Sequence, residues 1–488
     1  MIHLLPIFHV LGLLVGISGV AMLMALPFSF YFASGDHPEI LMAGVSSLVI
    51  GGLVWWFTRK GGEIELKKRD GYLIVTLGWV VMSAIGALPY VIGGAIPSYT
   101  DAFFETISGF TTTGATILGQ NIEDLPAGLH FWRAMTHWIG GMGIIVLTIA
   151  ILPLLGIGGM QLFAAEVPGP TPDKLTPRVK ETAKRLWIVY VALTALEALL
   201  LWMGEMNFYE AVCHSMSTLS TGGFSTRQAS MGYFSPYSQY VVTIFMFLAG
   251  TNFALTYSAL RGEPKKLWQN EEFRWFSYVS LALTVLVTSV VYFRNGDEIG
   301  FEQSFRDAIF QVMSIITTTG FGTADFTLWG PLMMVVFFLL MFHGACAGST
   351  SGGIKMVRVL VITKNSYLEL KRQIFQKAIL PVRFNGKGVN PEVVSKMVTF
   401  FLIFILMFVL GTVVMAGFGL DFMTAMGSVA ATLGNIGPGI GKVGPGDALN
   451  FAQIPAAGKW VLSFLMLLGR LELFTVLLVF TPFFWRSK

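Results

Sequence analysis

"SIITTTGFGT", residues 314–323, runs from an apolar, helix-like stretch into three threonines and a glycine–phenylalanine–glycine corner. β-Branched threonines fit a helix poorly and favour extended backbone, whereas glycine reaches backbone angles that other residues avoid. The stretch therefore reads as a short helix stopped on a sharp turn. Nearly the same turn, "FTTTGAT", lies at 110–116. The full pattern occurs four times: "DAFFETISGFTTTGAT" (101–116), "YEAVCHSMSTLSTGGFST" (209–226), "DAIFQVMSIITTTGFGT" (307–323) and "TAMGSVAATLGNIGPGI" (424–440). Aligned on Gly114, Gly222, Gly320 and Gly437, the corners recur roughly every hundred residues, as an internal repeat does. One such corner is ordinary loop punctuation. Four at matched offsets, each behind a short apolar helix, are an architecture.

Of the 488 residues, 54% are hydrophobic and 12% are charged, with a mean hydropathy of +0.68. Soluble domains carry roughly 25% charged residues, so this chain belongs in a bilayer. Apolar runs near the roughly 20-residue length of a span lie at 4–32, 40–57, 71–92, 133–155, 186–203, 237–260, 275–293, 329–346, 397–420 and 457–484. The first is too long for a signal-peptide core and lacks a basic leader, so it reads as a retained helix. Cys213 and Cys346 offer neither a disulfide framework nor a metal quartet, and the seven histidines lack metal-protease spacing. The net charge of +4 is a sum over both faces of a membrane and does not point to nucleic acid.

Basic residues cluster after alternate runs: Arg59, Lys60, Lys67, Lys68 and Arg69; Lys174, Arg178, Lys180, Lys184 and Arg185; Arg261, Lys265, Lys266 and Arg274; then Lys355 through Lys387. The positive-inside rule makes those loops, and both termini, cytoplasmic. All four corners then sit in linkers on the outer side. The expected fold is an all-α polytopic membrane protein. It comprises an N-terminal hairpin (1–69) and four span–pore-helix–span repeats at 70–160, 161–262, 263–388 and 389–488.

Non-helical backbone at membrane depth survives only when buried in protein or lining a watery path. A short helix entering from outside aims its C-terminal dipole inward, which favours cations. Four extended segments around one axis make a ring of oxygens able to replace a cation's hydration shell. The expected filter residues are Thr112, Thr113 and Gly114; Ser220, Thr221 and Gly222; Thr318, Thr319 and Gly320; and Asn435, Ile436 and Gly437.

"TTTGA" (111–115), "HWIGGMGIIVL" (137–147), "ILPLLGIGGMQLF" (151–163), "HSMSTLSTGGFST" (214–226), "GACAGSTSGGIK" (344–355) and "LGRLELFTVL" (468–477) carry a resemblance that covers the chain end to end. The sequence resembles the TrkH branch of the TrkH/KtrB/HKT superfamily of potassium transporters. That resemblance implies four fused channel-like repeats, K⁺ at the filter as the transported ion without an organic cofactor, and pairing into homodimers. It also implies a bacterial inner-membrane location and control by a cytosolic, nucleotide-binding ring of the TrkA type. Members with serine at the first filter glycine tend to pass sodium, so Gly114 implies potassium. Asn435-Ile436-Gly437 departs from Thr-Thr-Gly, and Ser351 stands where relatives often have another glycine.

A gate is expected at Gly344, Ala345, Cys346, Ala347, Gly348, Ser349, Thr350, Ser351, Gly352 and Gly353. A glycine inside a helix costs about 1 kcal/mol relative to alanine, so four in this run should unwind the span, opposite three uninterrupted inner helices. Arg470, a charge near the middle of the last span, is expected either to form an electrostatic pore barrier or to pair with Glu472 or another acid. Glu105 is expected to bond the back of the filter rather than to draw in cations, and Asp101 and Asp307 to cap pore helices. His137 and Trp138 read as helix-packing residues beside Gly140, Gly141 and Gly143. "GIGKVG" (439–444) and "GSTSGGIK" (348–355) imitate nucleotide loops, but neither has the strand or the lysine spacing that such a loop needs. The competing class is a secondary cation carrier coupled to Na⁺ or H⁺, with inverted repeats and a midplane site.

Overall fold

The computed structural model describes residues 2–64, 66–151, 179–445 and 450–486. Most of the 151–163 motif, Lys174, Arg178 and the expected boundary at 160/161 lie outside the described residues. Among the described residues, six helices are long and apolar enough to cross a bilayer: Leu4–Tyr31, His37–Phe57, Arg69–Ile92, Ala183–Met203, Glu271–Arg294 and Pro391–Gly417. The first two form the N-terminal hairpin. They pack backbone to backbone because glycines meet across it: a methyl group on Gly51 would lie 2.5 Å from Gly16 N. The other four are the outer helices of the four repeats.

Each outer helix is followed by a short pore helix: Tyr99–Phe110, Phe208–Leu219, residues 301–316 and Phe422–Leu433. The third is fused to its outer helix and separated from it only by a break at Gly300 (φ 72°). Asp101 and Asp307 do not cap these helices. The first pore helix is capped by Ser98, whose hydroxyl accepts from Asp101 N; Asn207 and Asp421 cap the second and fourth in the same way. Asp307 sits inside the fused third helix, where there is no free end to cap.

The inner helices correct an expectation. All four are broken, not one. The first bends at Gly143 (φ 37°). The second is Pro236–Ala249 followed by Phe253–Leu260 at 107°, with Asn252 capping the second half. The third stops at Leu340 and resumes at Met356, and the fourth breaks at Glu472 and Leu473, both at positive φ. Three breaks lie just beyond the place where an inner helix crosses the end of a pore helix. There, methyl groups on Gly140, Gly250 and Gly469 would lie 2.2 Å from Phe110 O, 2.8 Å from Thr317 Cγ2 and 2.2 Å from Leu433 O. A single glycine or an αL residue is a weak sequence signal beside the four-glycine run at 344–353.

Among the described residues, the helical expectation meets one short sheet, on the linker before the fourth repeat. Arg383–Phe384 and Lys387–Gly388 form a two-residue hairpin around Asn385-Gly386. Both turn residues have positive φ, as a type I′ turn requires.

Candidate functional site: a ring of four corners

Each pore helix ends in the same way. The backbone N–H of Thr113, Gly222, Thr319 and Ile436 donates to Ser108 O, Ser217 O, Ser314 O and Ala431 O, at 2.8, 2.8, 2.8 and 2.9 Å. These are the long bonds of a Schellman cap, which needs a left-handed residue just before the donor. That residue is Thr112, Thr221, Thr318 or Asn435, with φ between 51° and 57°. The strain of a β-branched side chain there is repeated three times. Four buried polar side chains thus hold a conformation that glycine would adopt freely.

The following glycine also has positive φ: Gly114 (78°), Gly223 (78°), Gly320 (83°) and Gly437 (99°). The second corner is therefore Thr221-Gly222-Gly223, and the expected Ser220-Thr221-Gly222 is one residue out of register. Ser220 is the last helical cap residue, equivalent to Thr111 and Thr317. A sequence signal for the right register exists. Sixteen residues before Gly114, Gly223, Gly320 and Gly437 stand Ser98, Asn207, Ser304 and Asp421, all good capping types, whereas sixteen before Gly222 stands Met206.

The four glycines close a circle. A methyl group on Gly114 would lie 2.0 Å from Gly222 O, one on Gly223 2.0 Å from Thr319 O, and one on Gly320 1.9 Å from Ile436 O. On Gly437 it would lie 2.7 Å from Thr113 O, which returns to the first repeat. Each repeat thus places its glycine against the carbonyl of the next, in chain order. Only glycine permits that approach.

Buried polar groups brace the corners from behind. Glu105 accepts from Thr116 Oγ1 and from Ile117 N, each at 2.9 Å, and forms a buried pair with Arg133 Nε at 2.7 Å. Arg133 Nη1 then donates to Ser225 O at 2.9 Å, tying the first repeat to the second. In the second repeat Glu210 pairs with Arg227, and His214 Nε2 lies 2.9 Å from Ser225 Oγ. In the third, Gln311 donates to Ala324 O and Ser314 to Phe321 O. Asn435 Nδ2 joins the fourth corner to the first through Thr113 Oγ1, at 3.0 Å.

The 344–353 segment is an excursion whose ends are zipped together. Gly344 N donates to Ile354 O, Ile354 N to Phe342 O and Met356 N to Ala345 O. It reaches the corners at two points: Gly352 N donates to Thr318 Oγ1 at 2.6 Å and Thr350 Oγ1 to Leu219 O at 2.9 Å. Its base is held by Glu272, which accepts from Ala347 N and Val357 N at 2.7 and 2.9 Å. Lys355, expected to begin the cytoplasmic basic surface, is buried and belongs to this loop, donating to the Ser351 carbonyl and hydroxyl.

Arg470 lies against the same loop. It donates to Thr350 O at 2.8 Å and to Gly140 O and Gly141 O at 2.5 and 3.0 Å. Glu472 is engaged elsewhere, with Arg358 at 2.5 Å.

Comparison with known proteins identifies the family. The TrkH family model, described as "Cation transport protein", covers residues 36–487. The Trk system potassium uptake protein TrkH of Escherichia coli (strain K12) is 41% identical over 99% of this chain and 100% of its own length. That of Halomonas elongata is 40% identical over 99% of each. The crystal structure of the potassium transporter TrkH from Vibrio parahaemolyticus superposes with a TM-score of 0.88 at 38% identity, covering 99% of this chain and 100% of that one. A multi-pass membrane protein built from four such repeats, the chain belongs to the TrkH family of cation transport proteins.

Proposed function

We propose that this protein takes up potassium through a filter made of Thr112-Thr113-Gly114, Thr221-Gly222-Gly223, Thr318-Thr319-Gly320 and Asn435-Ile436-Gly437. The observation that carries the reading is the closed circle of glycine-to-carbonyl approaches. Four peptide oxygens gathered at the inward ends of four helix dipoles would supply the environment a dehydrated cation needs. The names of the relatives, and glycine rather than serine at position 114, favour K⁺ as the cargo.

Beneath the filter, the 344–353 loop is the gate, and Arg470 sets the electrostatic barrier there. A cytosolic nucleotide-binding ring of the TrkA type docks on the basic cytoplasmic surface that precedes the fourth repeat, where Lys364 and the 383–388 hairpin are both held by Glu271. The protein works as a homodimer in a bacterial inner membrane with both termini cytoplasmic, and the repeats divide at 69/70, 160/161, 262/263 and 388/389.

Reconstituted flux of K⁺, Rb⁺ and Na⁺, with and without an imposed proton gradient, tests this reading. K⁺ and Rb⁺ passing down their own gradients ahead of Na⁺ is the expected result. Flux that requires a proton or sodium gradient would favour the carrier.

A further inference from the structure

We propose that His137, on the inner helix of the first repeat, is the positioning residue of the second filter corner and helps to set its ion selectivity. The inference rests on the filter reading given above and adds a residue to it. The corner position before each filter glycine is occupied by Thr113, Thr319 and Ile436 in three repeats, all buried. Thr113 and Thr319 each staple the turn through a 2.8 Å hydroxyl contact with the cap residues Thr111 and Thr317. The second repeat has Gly222 instead, with no side chain to do this. The hydroxyl of its cap residue, Ser220, bonds Met216 O at 2.7 Å, as Thr111 and Thr317 bond Ile107 O and Met313 O, but at Gly222 it has no corner hydroxyl to meet.

The imidazole of His137 takes up the missing volume. A methyl group on Gly222 would lie 2.4 Å from His137 Nδ1 and 2.5 Å from its Cγ, so the ring occupies the place where that side chain would be. The ring is held in turn. His137 Nδ1 lies 3.3 Å from Ser217 Oγ, and its face stacks on Phe224, with ring centroids 3.9 Å apart at 18°. Phe224 follows Gly223 directly, and the Arg133 guanidinium lies 3.5 Å from the centre of its ring. Two groups that close to one ring centre must take opposite faces. Arg133 and His137, one helical turn apart, therefore clamp Phe224 between them. Through Phe224 and Gly222 they fix the peptide whose oxygen meets Gly114.

The remaining ring nitrogen, His137 Nε2, is buried without a hydrogen-bond partner among the described residues. A buried polar atom in that state costs stability, so packing alone would favour an apolar side chain. What the planar ring supplies is shape. It restricts a glycine that would otherwise be free to turn its carbonyl away from the axis.

The test is a double-mutant cycle on the full chain in liposomes, read as the ratio of K⁺ to Na⁺ flux. His137→Ala should lower the ratio about tenfold. Gly222→Thr alone, which collides with the ring, should also lower it. In the His137→Ala/Gly222→Thr double variant, a threonine rebuilds the staple seen in the first and third repeats, and the ratio should return towards the parent value. His137→Phe, planar and of similar size, should stay near the parent. An unchanged ratio in His137→Ala, or a double variant no better than that single one, overturns the proposal. Should His137→Ala not be recovered from membranes, His137→Phe and His137→Leu decide. Equal losses in both, or a loss in neither, would show that ring shape is irrelevant. Gly223→Ser separates the two levels. If it too leaves the ratio unchanged, the filter reading itself fails; if it lowers the ratio while His137→Ala does not, only the role of His137 fails.

Discussion

The backbone N–H of Gly352 donates to the side-chain hydroxyl of Thr318 at 2.6 Å. The intramembrane loop is thereby fastened to the third corner. The same loop is gripped at its base by Glu272 and zipped at its ends by three backbone bonds. Its ends are therefore fixed, and any opening movement falls on the stretch between them. Removing residues 349–351 should withdraw the tip, and cation flux in liposomes should rise about tenfold or more without the cytosolic partner, since a tenfold change reflects only 1.4 kcal/mol of lost closure. Flux that stays low and still needs the partner would place the gate elsewhere.

Selectivity should be lost at Gly223 for reasons that differ from those at Gly222. Gly223 has φ 78°, and a side chain there would drive into Thr319 O. Gly223→Ser and Gly114→Ser should both admit Na⁺ or weaken K⁺ preference by about tenfold, the cost of distorting one oxygen site by about 1.4 kcal/mol. Competition of Na⁺ with Rb⁺ uptake measures it, and no change at any of the four glycines would exclude this filter.

How far the sequence reaches is set by what repeats. Low charge and long apolar runs are sums over many residues, so the membrane class is legible from composition. The four corners are legible because Thr-Thr-Gly recurs at matched offsets. The register of the second corner is ambiguous because two glycines stand together, and the capping residue Asn207 that resolves it lies sixteen positions away. The breaks at Gly143 and at Glu472–Leu473 are hidden because each is one or two residues whose strain is offset by packing. His137 reads as packing in sequence. Its relation to Gly222 joins different repeats, and only the fold brings them together.

Glu105 and Arg133 form a buried pair that also holds Thr116, Ile117 and Ser225. Removing one member leaves a buried charge unpaired, which typically costs 3–5 kcal/mol. Glu105→Ala should therefore lower the temperature of irreversible inactivation sharply, by more than the double variant Glu105→Ala/Arg133→Met. Thermal inactivation followed by size-exclusion in detergent checks it. A double variant less stable than the single would show that the pair acts through its other hydrogen bonds.

Under the proposed gating, Arg470 would contribute to closure in two separable ways. As a fixed charge on the pathway it would repel cations at any loop position. As a donor to Thr350 O, Gly140 O and Gly141 O it ties the loop to the inner helix of the first repeat. Arg470→Ala removes both, so flux should rise while the K⁺ to Na⁺ ratio stays put, because none of those three carbonyls belongs to a filter corner. Combining it with deletion of 349–351 separates the two. A pure barrier would raise flux by the same factor in both backgrounds, whereas a tether has nothing left to hold once Thr350 is gone. Three bonds to carbonyls across two elements make the tether the larger part. The expected result is a gain in the deletion background well below that in the intact chain, with a coupling of about 0.5–3 kcal/mol between the two changes. Equal gains in both backgrounds would assign Arg470 to the barrier alone.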